Sequence, residues 1–403
     1  MGRLAGPEQE CVERAVAEPM LAQVEAWAQI NSGSRNLQGL ESVAYLLADA
    51  FAGLPGALTL VDPAPVETVD SSGRTVAVDH GRNLHLKVRP EAPVQLLLTG
   101  HMDTVFGADH PFQKLVWLEQ ERVVNGPGVA DMKGGIAVML AALKAVEASE
   151  AAARIGYEVV INSDEEVGSP GSAALIAGAA RGKRAALTYE PAALPDGTLA
   201  GARPGSGNFA FVVRGRSAHA GRNPEDGRNA ILAAAELALR LERGRKDGLA
   251  VNPARIDGGG PNNVVPDLAI LRVNVRPRTP EIEAEAARMI DETVAAVAGE
   301  REVAIDVHGG FGRPPKPMTP QAEALFALVS KAGADLGQSI SWQPSGGVCD
   351  GNNIAACGVP VVDTMGVRGG QIHSSQEYLI VDSLGERAAL SALTILRLAG
   401  ASG

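Results

Sequence analysis

The sequence predicts an α/β fold that is interrupted by a smaller α+β domain. Strand-like and helix-like runs alternate up to about Arg203, which is typical of a layered α/β domain. Between Asn208 and Val307 the order changes to strand, helix, strand, strand, helix, strand, which is the order of a ferredoxin-like unit. The proline-rich segment 313–317 then marks a hinge, and the alternation resumes after it.

The length of the chain supports two domains. At 403 residues it exceeds the size at which one simple core is the norm. We therefore expect an α/β domain made of residues 1–203 and 315–403, with residues 204–314 inserted as the second domain.

Hydrophobic periodicity predicts the elements of the α/β domain. Patterns with helical spacing occupy 21–30 and 40–51, and a longer one occupies 134–148. Apolar runs typical of buried strands occupy 83–88, 94–99, 155–161, 185–189 and, after the hinge, 359–365. The strand-like runs alternate with helices, as a layered sheet requires.

The inserted domain shows its own pattern. Strands are predicted at 208–214, 254–257, 268–276 and 303–307, and helices at 227–242 and 280–298. Thr279 and Pro280 support the start of the second helix, because threonine is a common N-cap and proline fits the first turn.

The composition excludes some partners and compartments. A net charge of −11 argues against nucleic acid, because phosphate binding requires a basic face. Three cysteines, Cys11, Cys349 and Cys357, are too few for a disulfide framework and favour a reducing compartment. The N-terminus lacks the apolar run of a secretory signal, and the longest apolar segment, 136–143, is too short to span a bilayer. We expect a cytoplasmic protein that does not bind membranes.

Three consecutive carboxylates, Asp164, Glu165 and Glu166, directly follow the predicted strand 155–161. Adjacent like charges repel, and they are tolerated near an interior only when cations or hydrogen-bond donors compensate them. The triplet is therefore a candidate for metal binding combined with base chemistry. The alternative is a solvated acidic turn.

Further candidate residues follow other strands and loops. His101 and Asp103 come after the strand 94–99, and a nearby aspartate suits the support of a ligating histidine. A structural histidine is the alternative. Asp131 precedes the helix 134–148 and could bridge two metals or act as the helix N-cap.

Glu190 and His373 complete this set, since each follows a strand-like run. Imidazoles and carboxylates are ligands for zinc and similar ions. Two imidazoles together with three carboxylates can hold a pair of metal ions.

The chain closely resembles a known family of dizinc metallopeptidases through five motifs that occur in order: GHMDTVF, GVADMKGG, SDEEVGS, YEP and IHSSQEY. The family includes acetylornithine deacetylase, succinyl-diaminopimelate desuccinylase and glutamate carboxypeptidase, the last being closest in its motifs. The resemblance covers the whole chain. It implies a three-layer zinc-exopeptidase-like catalytic domain, with the insertion as a ferredoxin-like lid or dimerisation domain.

The resemblance also implies a site. The implied metal ligands are His101, Asp131, Glu166, Glu190 and His373. His101 and Glu190 would hold one ion, Glu166 and His373 the other, and Asp131 would bridge them. Glu165 would be the general base, and Asp103 would orient His101. The two divalent ions would be zinc, with cobalt or manganese as alternatives.

The resemblance assigns further roles to the insertion and to a glycine-rich loop. His219, within SAHAG, matches a family histidine that stabilises the oxyanion from the partner subunit, which implies a homodimer formed by the lid. A strand-end histidine facing water is the alternative. The implied substrate-binding residues are Asn263, Arg276, Arg313, Gly346 and Gly347. Arg276 could instead be a solvated strand-end charge. Cys349 replaces the usual small hydroxyl residue of this loop, which affects side-chain selectivity.

The implied activity is hydrolysis of an amide bond next to a free carboxylate, with metal-activated water, on small peptides or N-acyl amino acids. The alternative within the same site is an N-acyl-amino-acid deacylase, such as acetylornithine deacetylase or succinyl-diaminopimelate desuccinylase. Two other classes stay open on the sequence alone: a non-enzymatic binding protein of the same fold, and an interaction protein built on the lid.

Overall fold

The computed structural model describes residues 4–118 and 122–400, which form one large mixed sheet, two four-stranded antiparallel sheets and two sheets of two strands each. Within these residues the eighteen strands, β1 to β18 in chain order, are Ala57–Val61, Glu67–Val69, Thr75–Ala77, Asn83–Val88, Val94–His101, Val116–Leu118, Val123–Asn125, Ile155–Asn162, Ala185–Thr188, Leu199–Ala200, Ser206–Arg214, Leu249–Gly258, Leu268–Pro277, Ala304–Arg313, Trp342–Gln343, Val361–Val362, Gly369–Gly370 and Tyr378–Ile380.

The same residues form ten α-helices. In chain order, α1 to α10 are Gly6–Ala17, Met20–Ala28, Leu37–Phe51, Gly134–Glu147, Ala173–Ala180, Ala230–Arg243, Pro280–Arg301, Pro320–Asp335, Asp350–Ala356 and Ser383–Gly400. Helix α4 is apolar on nearly every side and is buried except at Lys144 and Glu147, as such a helix must be. None of the helices in the described part of the chain is long and apolar enough to cross a membrane.

Helices cover both faces of the large sheet, whose strand order is β1-β4-β8-β5-β9-β16. Strands β8, β5, β9 and β16 run parallel to one another, whereas β4 pairs antiparallel with both β1 and β8. Along β5, Leu96 and Leu98 pack in the main core with α4, while Leu97 packs with α5 and α9 on the opposite face. The predicted three-layer α/β class is confirmed.

The four-stranded sheet of the inserted domain has the order β12-β13-β11-β14, and all of its pairs are antiparallel. Helices α6 and α7 pack on one face, where Leu237 and Ile290 meet Phe211 and Leu271. Elements β11, α6, β12, β13, α7 and β14 follow the predicted order of a ferredoxin-like unit. We call residues 204–314 the lid.

The chain crosses between the large sheet and the sheet of the lid at two points. The backbones at these points pair with each other. The backbones of Arg203 and Lys316 exchange two hydrogen bonds of 3.0 Å. The side-chain amide of Asn352 donates to the carbonyls of Pro204 and Pro314, at 2.8 Å each. The predicted domain boundaries fall at these crossings and stay predictions.

Some element bounds differ from those predicted. The strand predicted at 254–257 extends over Leu249–Gly258, because it pairs along the full length of β13. The strand predicted at 359–365 shortens to Val361–Val362, since only these two residues pair with β9. The helix predicted at 227–242 begins at Ala230, after its N-cap residue Asn229.

Candidate metal centre

Three of the predicted site residues lie where neighbouring parallel strands end. His101 is the last residue of β5, Glu165 follows β8 in a short 3₁₀ turn, and Glu190 comes two residues after β9. Because β8, β5 and β9 are adjacent and parallel, their carboxyl ends meet at one edge of the sheet. The topology therefore gathers residues that are far apart in the sequence.

His101 is held by Asp103. Its Nδ1 lies 3.0 Å from the Asp103 carbonyl, which can only accept, so Nδ1 carries the donated proton. In the neutral ring Nε2 then has a lone pair, and it lies 3.1 Å from Asp131 Oδ1 and 3.7 Å from Glu190 Oε2. The lone pair of His101 Nε2 and the two carboxylate oxygens therefore face one another, as ligand atoms do around a cation.

Asp103 connects His101 to the acidic triplet. Its fully buried carboxylate accepts hydrogen bonds from the backbone N–H of Glu165 at 3.1 Å and of Glu166 at 3.2 Å. The hydroxyl of Ser34 donates to it as well, at 2.7 Å. Asp103 therefore fixes both the histidine and the backbone of the neighbouring carboxylates.

Asp131 lies between the two predicted ligand histidines. Its Oδ1 faces His101 Nε2 at 3.1 Å, and its Oδ2 faces His373 Nε2 at 3.3 Å. His373 Nε2 also lies 3.1 Å from Glu166 Oε2. One carboxylate facing two imidazoles, each with a further carboxylate beside it, has the geometry of a bridging ligand.

The donor atoms form two overlapping groups. Atoms of His101, Glu165 and Glu190 all lie within 4.8 Å of one another, and so do atoms of His101, Asp131 and Glu166. In the part of the chain that the structure describes, these are the groups whose geometry suits a metal ion.

The electrostatics of the cluster favour added positive charge. Burial raises the pKa of Glu166 to about 8, and the adjacent Asp131 carboxylate contributes to the rise. Burial raises the pKa of Glu165 to about 7 and also raises that of Glu190. Hydrogen bonds to Asp131 and Glu166 raise the pKa of His373 to about 11. Divalent cations would relieve this repulsion, and the imidazole and carboxylate donors fit them.

The structure decides two of the open alternatives. Asp131 is not the N-cap of α4, because that position is occupied by Lys133. The acidic triplet is not a solvated turn, since Asp164 and Glu165 are buried. Asp164 accepts hydrogen bonds from Gly171 N at 2.6 Å and from the Ser172 hydroxyl at 2.5 Å, so its role is to hold the loop.

Arg313 lies against Glu165. Its Nη2 is 2.7 Å from Glu165 Oε1 and 2.9 Å from the Glu165 carbonyl, and the residue is buried. It also lies 3.4 Å from Asp350 and donates to the Ser169 hydroxyl at 3.1 Å. The arginine predicted to bind substrate therefore contacts the predicted general base.

Three arginines hold the glycine-rich loop by consecutive carbonyls. Arg276 Nη1 donates to Gly346 O at 3.3 Å, Arg203 Nη1 to Gly347 O at 3.2 Å, and Arg313 Nη1 to Val348 O at 3.3 Å. Four of these residues were predicted for substrate binding, namely Arg276, Arg313, Gly346 and Gly347. The structure brings all four to one loop.

Cys349 ends this loop as a buried thiol. Its Sγ lies 3.5 Å from Asp363 Oδ2. Burial raises the pKa of the thiol well above its usual value, so the nucleophilic thiolate is disfavoured. The site therefore gives Cys349 no nucleophilic role.

His219 and Asn263 lie together on the lid. The backbone N–H of Ala220 donates to Asn263 O at 2.9 Å. His219 Nδ1 accepts from the backbone N–H groups of Gly221 and Arg222, at 3.1 and 3.2 Å, so the ring proton resides on Nε2. Both side chains are exposed, and within the described residues the polar contacts of His219 all lie in the lid.

Two residues of the site were missed by the sequence analysis. Arg203 holds Gly347 and is itself fixed by Asp363, with bonds of 2.8 and 3.0 Å to the two carboxylate oxygens. Glu377 accepts hydrogen bonds from the backbone of the segment that carries Asp131. Glu377 belongs to the motif IHSSQEY, which was the only signal for it.

The fold and the donor set define a metal-dependent hydrolase of the three-layer α/β class. Comparison with known families agrees. Residues 97–397 match the model of peptidase family M20/M25/M40, and the chain belongs to this family of metallopeptidases and amidohydrolases. The resemblance inferred from the five motifs is thereby confirmed.

Similar proteins include members with different substrates. The chain is 30% identical to carboxypeptidase G2 of Pseudomonas sp. (strain RS-16), over 79% of this chain and 77% of the relative. It is 30% identical to succinyl-diaminopimelate desuccinylase of Methylobacterium sp. (strain 4-46), over 85% and 89%. Its fold matches the crystal structure of Bacillus subtilis YXEP, described as a dinuclear metal binding peptidase of the M20 family, with a TM-score of 0.64, 15% identity and coverage of 97% and 99%.

Proposed function

We propose that this protein is a dinuclear metal-dependent hydrolase that cleaves an amide bond next to a free carboxylate. Its substrates are small peptides or N-acyl amino acids, and it releases the C-terminal residue as a glutamate carboxypeptidase does. The observation that carries the proposal is the placement of Asp131 between His101 and His373, with Glu165 buried beside them.

The five donors, of which His373 is exposed and the other four are buried or half-buried, divide between two ions. We assign His101 and Glu190 to one ion, Glu166 and His373 to the other, and Asp131 to both, which agrees with the distances among these side chains. Divalent ions supply, when bound, a lowered water pKa and polarisation of the scissile carbonyl. We propose zinc, with cobalt and manganese as alternatives.

Glu165 acts as the general base. It accepts the proton of the attacking water and passes it to the leaving amine. The contact of 2.7 Å with Arg313 keeps its carboxylate oriented. Asp103 fixes the ring of His101 through Nδ1, and it also holds the backbone of Glu165. The general base and the ligand histidine are therefore held in a fixed position relative to each other.

The lid supplies the remaining groups from a second subunit. His219 Nε2–H would donate to the oxyanion of the partner's site. A homodimer through the lid is supported by β12, which is an edge strand of its sheet, and by the exposed side chains of Leu232 and Leu239 on α6. Such an interface would be two-fold symmetric, so each subunit would complete the other's site.

Substrate recognition uses the carboxylate of the released residue. Asn263, Arg276 and Arg313 would bind it, with Gly346 and Gly347 facing the side chain. The guanidinium groups that converge on residues 346–348 support this assignment, because arginine presents a bidentate fork to a carboxylate. No nucleic acid or membrane is proposed as a partner.

The cytoplasm is the proposed compartment. Cys11, Cys349 and Cys357 are free thiols, and Cys11 and Cys349 are buried. Unpaired cysteines are typical of proteins kept in a reducing environment.

Deacylation is the second candidate. Similarity to the desuccinylase extends over 85% of this chain, further than similarity to the carboxypeptidase. The same metal centre serves both reactions. The reactions differ in whether the arginines bind the acyl half or the amine half of the substrate amide. N-succinyl and N-acetyl amino acids are the matching substrates.

A substrate screen distinguishes the two activities. The protein is loaded with zinc, cobalt or manganese and offered N-acyl glutamates, dipeptides with acidic C-terminal residues, and N-succinyl or N-acetyl diamino acids. We expect the highest kcat/KM on substrates that release an acidic C-terminal residue. Preference for succinyl or acetyl diamino acids would favour the deacylase, and no hydrolysis with any metal would refute the proposed function.

A further inference from the structure

Glu377 is a buried carboxylate that holds the segment carrying Asp131. Its Oε2 accepts a hydrogen bond from Gly128 N at 3.1 Å, and its Oε1 accepts from Ala130 N and Asp131 N at 3.0 Å each. Only 1% of the residue is exposed. Three amides converging on one carboxylate are charge-assisted hydrogen bonds, which are stronger than neutral ones. The backbone of Asp131 is therefore fixed directly at its own N–H.

Gly128 makes this arrangement possible. Its φ of +71° lies in the left-handed region, and a Cβ there would come within 2.7 Å of Thr104 Cγ2. Only glycine adopts this backbone without strain in so tight a space. The turn can therefore direct its first N–H towards Glu377.

Glu377 is also bonded to the turn that carries His373. Its backbone N–H donates to Ser374 O at 3.0 Å, which closes the turn after His373. Its carbonyl accepts from Asn125 Nδ2 at 2.6 Å and from Gly126 N at 3.3 Å. One residue therefore joins the two segments that present Asp131 and His373, which are far apart in the sequence.

We propose that Glu377 is a positioning residue that sets the separation of Asp131 and His373, and thereby the affinity for the divalent ion these two side chains share. The proposal rests on the metal roles assigned under the proposed function. Glu377 itself would bind neither metal nor substrate. It acts on the distance of 3.3 Å between Asp131 Oδ2 and His373 Nε2 by holding both backbones.

The chemistry requires a carboxylate at this position. Glutamine offers one acceptor oxygen, and its NH₂ group would face a backbone N–H, so at least one amide would lose its partner. An unpaired buried amide is unfavourable, and the turn would shift to relieve it. Aspartate keeps the charge but is one methylene shorter, so it would not reach all three amides.

The test compares Glu377→Gln with Gln376→Ala, a matched control that removes an exposed neighbouring side chain. Zinc is titrated into each metal-free protein, and kcat and KM are measured at limiting and at excess zinc. We expect Glu377→Gln to weaken zinc binding most at the site that Asp131 shares with His373, on the order of 10–100-fold, the usual effect of losing an outer hydrogen-bond partner. KM should stay unchanged, and excess zinc should restore kcat.

Other outcomes separate this role from a purely structural one. If both zinc affinities of Glu377→Gln equal those of the control, the positioning role is refuted. Equal weakening of both sites, with a lower melting temperature of the metal-free protein, would refute it too. Should Glu377→Gln fail to fold, Glu377→Asp takes its place, with the larger loss again expected at the site that Asp131 shares with His373. Failure of the parent protein to bind zinc or hydrolyse any amide would instead refute the proposed function.

Discussion

The candidate metal centre and the lid hold the side chains assigned to the site in different ways. His101, Asp103 and Glu165 are buried, and each is bonded to another segment of the chain. His219 and Asn263 are exposed; the His219 ring accepts from the backbone of its own loop, and the Asn263 carbonyl accepts from Ala220 of that loop. The first group is rigid within one chain, whereas the second faces outward.

This difference distinguishes the groups proposed to carry out the reaction from the groups proposed to act only after dimerisation. Buried groups fixed by hydrogen bonds are preorganised, so they need no reordering when the substrate binds. Exposed groups such as His219 become effective only when another surface excludes water around them. We therefore expect substitutions in the metal centre and substitutions in the lid to have different effects.

The largest effect is expected from Glu165→Gln. Glutamine keeps the shape of the side chain but cannot accept the proton of water, so kcat should fall on the order of 10²–10⁴-fold. Metal content should remain that of the parent, because Glu165 is not an assigned ligand. Activity assays and metal analysis of the dialysed protein measure both quantities.

Glu166→Gln changes the adjacent glutamate and is the variant to compare with Glu165→Gln. Because Glu166 is an assigned ligand beside His373, its loss should remove one ion first, and excess metal should partly restore turnover. Identical behaviour of the two variants would contradict the division of roles within the acidic triplet.

A smaller effect is expected from His219→Ala. Removing one donor to an oxyanion lowers kcat on the order of 10²–10³-fold, while metal content should not change. His308→Ala is the control on the same domain, since His308 belongs to none of the site motifs. Turnover of His219→Ala at the level of this control would show that the exposed histidine has no role in catalysis.

The smallest effect is expected from Glu158→Gln, which lies in the large sheet away from the chemistry. Burial alone would raise the pKa of Glu158, but hydrogen bonds from His85 at 2.6 Å and Lys183 at 2.9 Å lower it to about 2. Losing a charged hydrogen-bond partner should reduce stability by about 2 kcal/mol near neutral pH. The kcat should remain unchanged.

The pH dependence of that loss follows from the lowered pKa. The folded value lies below the ordinary 4.5, so the stabilisation is complete above pH 4.5 and is lost as the pH falls towards about 2. Melting temperatures of the parent and Glu158→Gln should therefore converge in acid. A constant difference across this range would contradict the stabilising role of the charge.

Sequence patterns predicted the residues whose positions depend on local structure. His101, Glu165 and Glu190 follow apolar strands, and the alternation of strands with helices makes those strands parallel neighbours. Arg203 and Glu377 could not be predicted in this way. Glu377 contacts Asp131 across 246 residues, and no local pattern encodes such a contact.

There is also a physical reason why strands β2 and β3 were not predicted from the sequence. Strands β2 and β3 have three residues each and are mostly exposed, so they show no alternation of apolar and polar side chains. Their only buried residue, Val69, packs against Val212 and Ile270 of the lid sheet. The hairpin is stabilised by this long-range contact, which a single sequence does not reveal.

Mixed dimers test the central claim most directly. Glu165→Gln and His219→Ala are each purified, dissociated, mixed in equal amounts and reassociated, and turnover is measured per chain. If His219 acts across the dimer, roughly a quarter of the parent turnover should return, because half of the dimers are mixed and each contains one intact site. Formation of mixed dimers without any recovery would contradict the account.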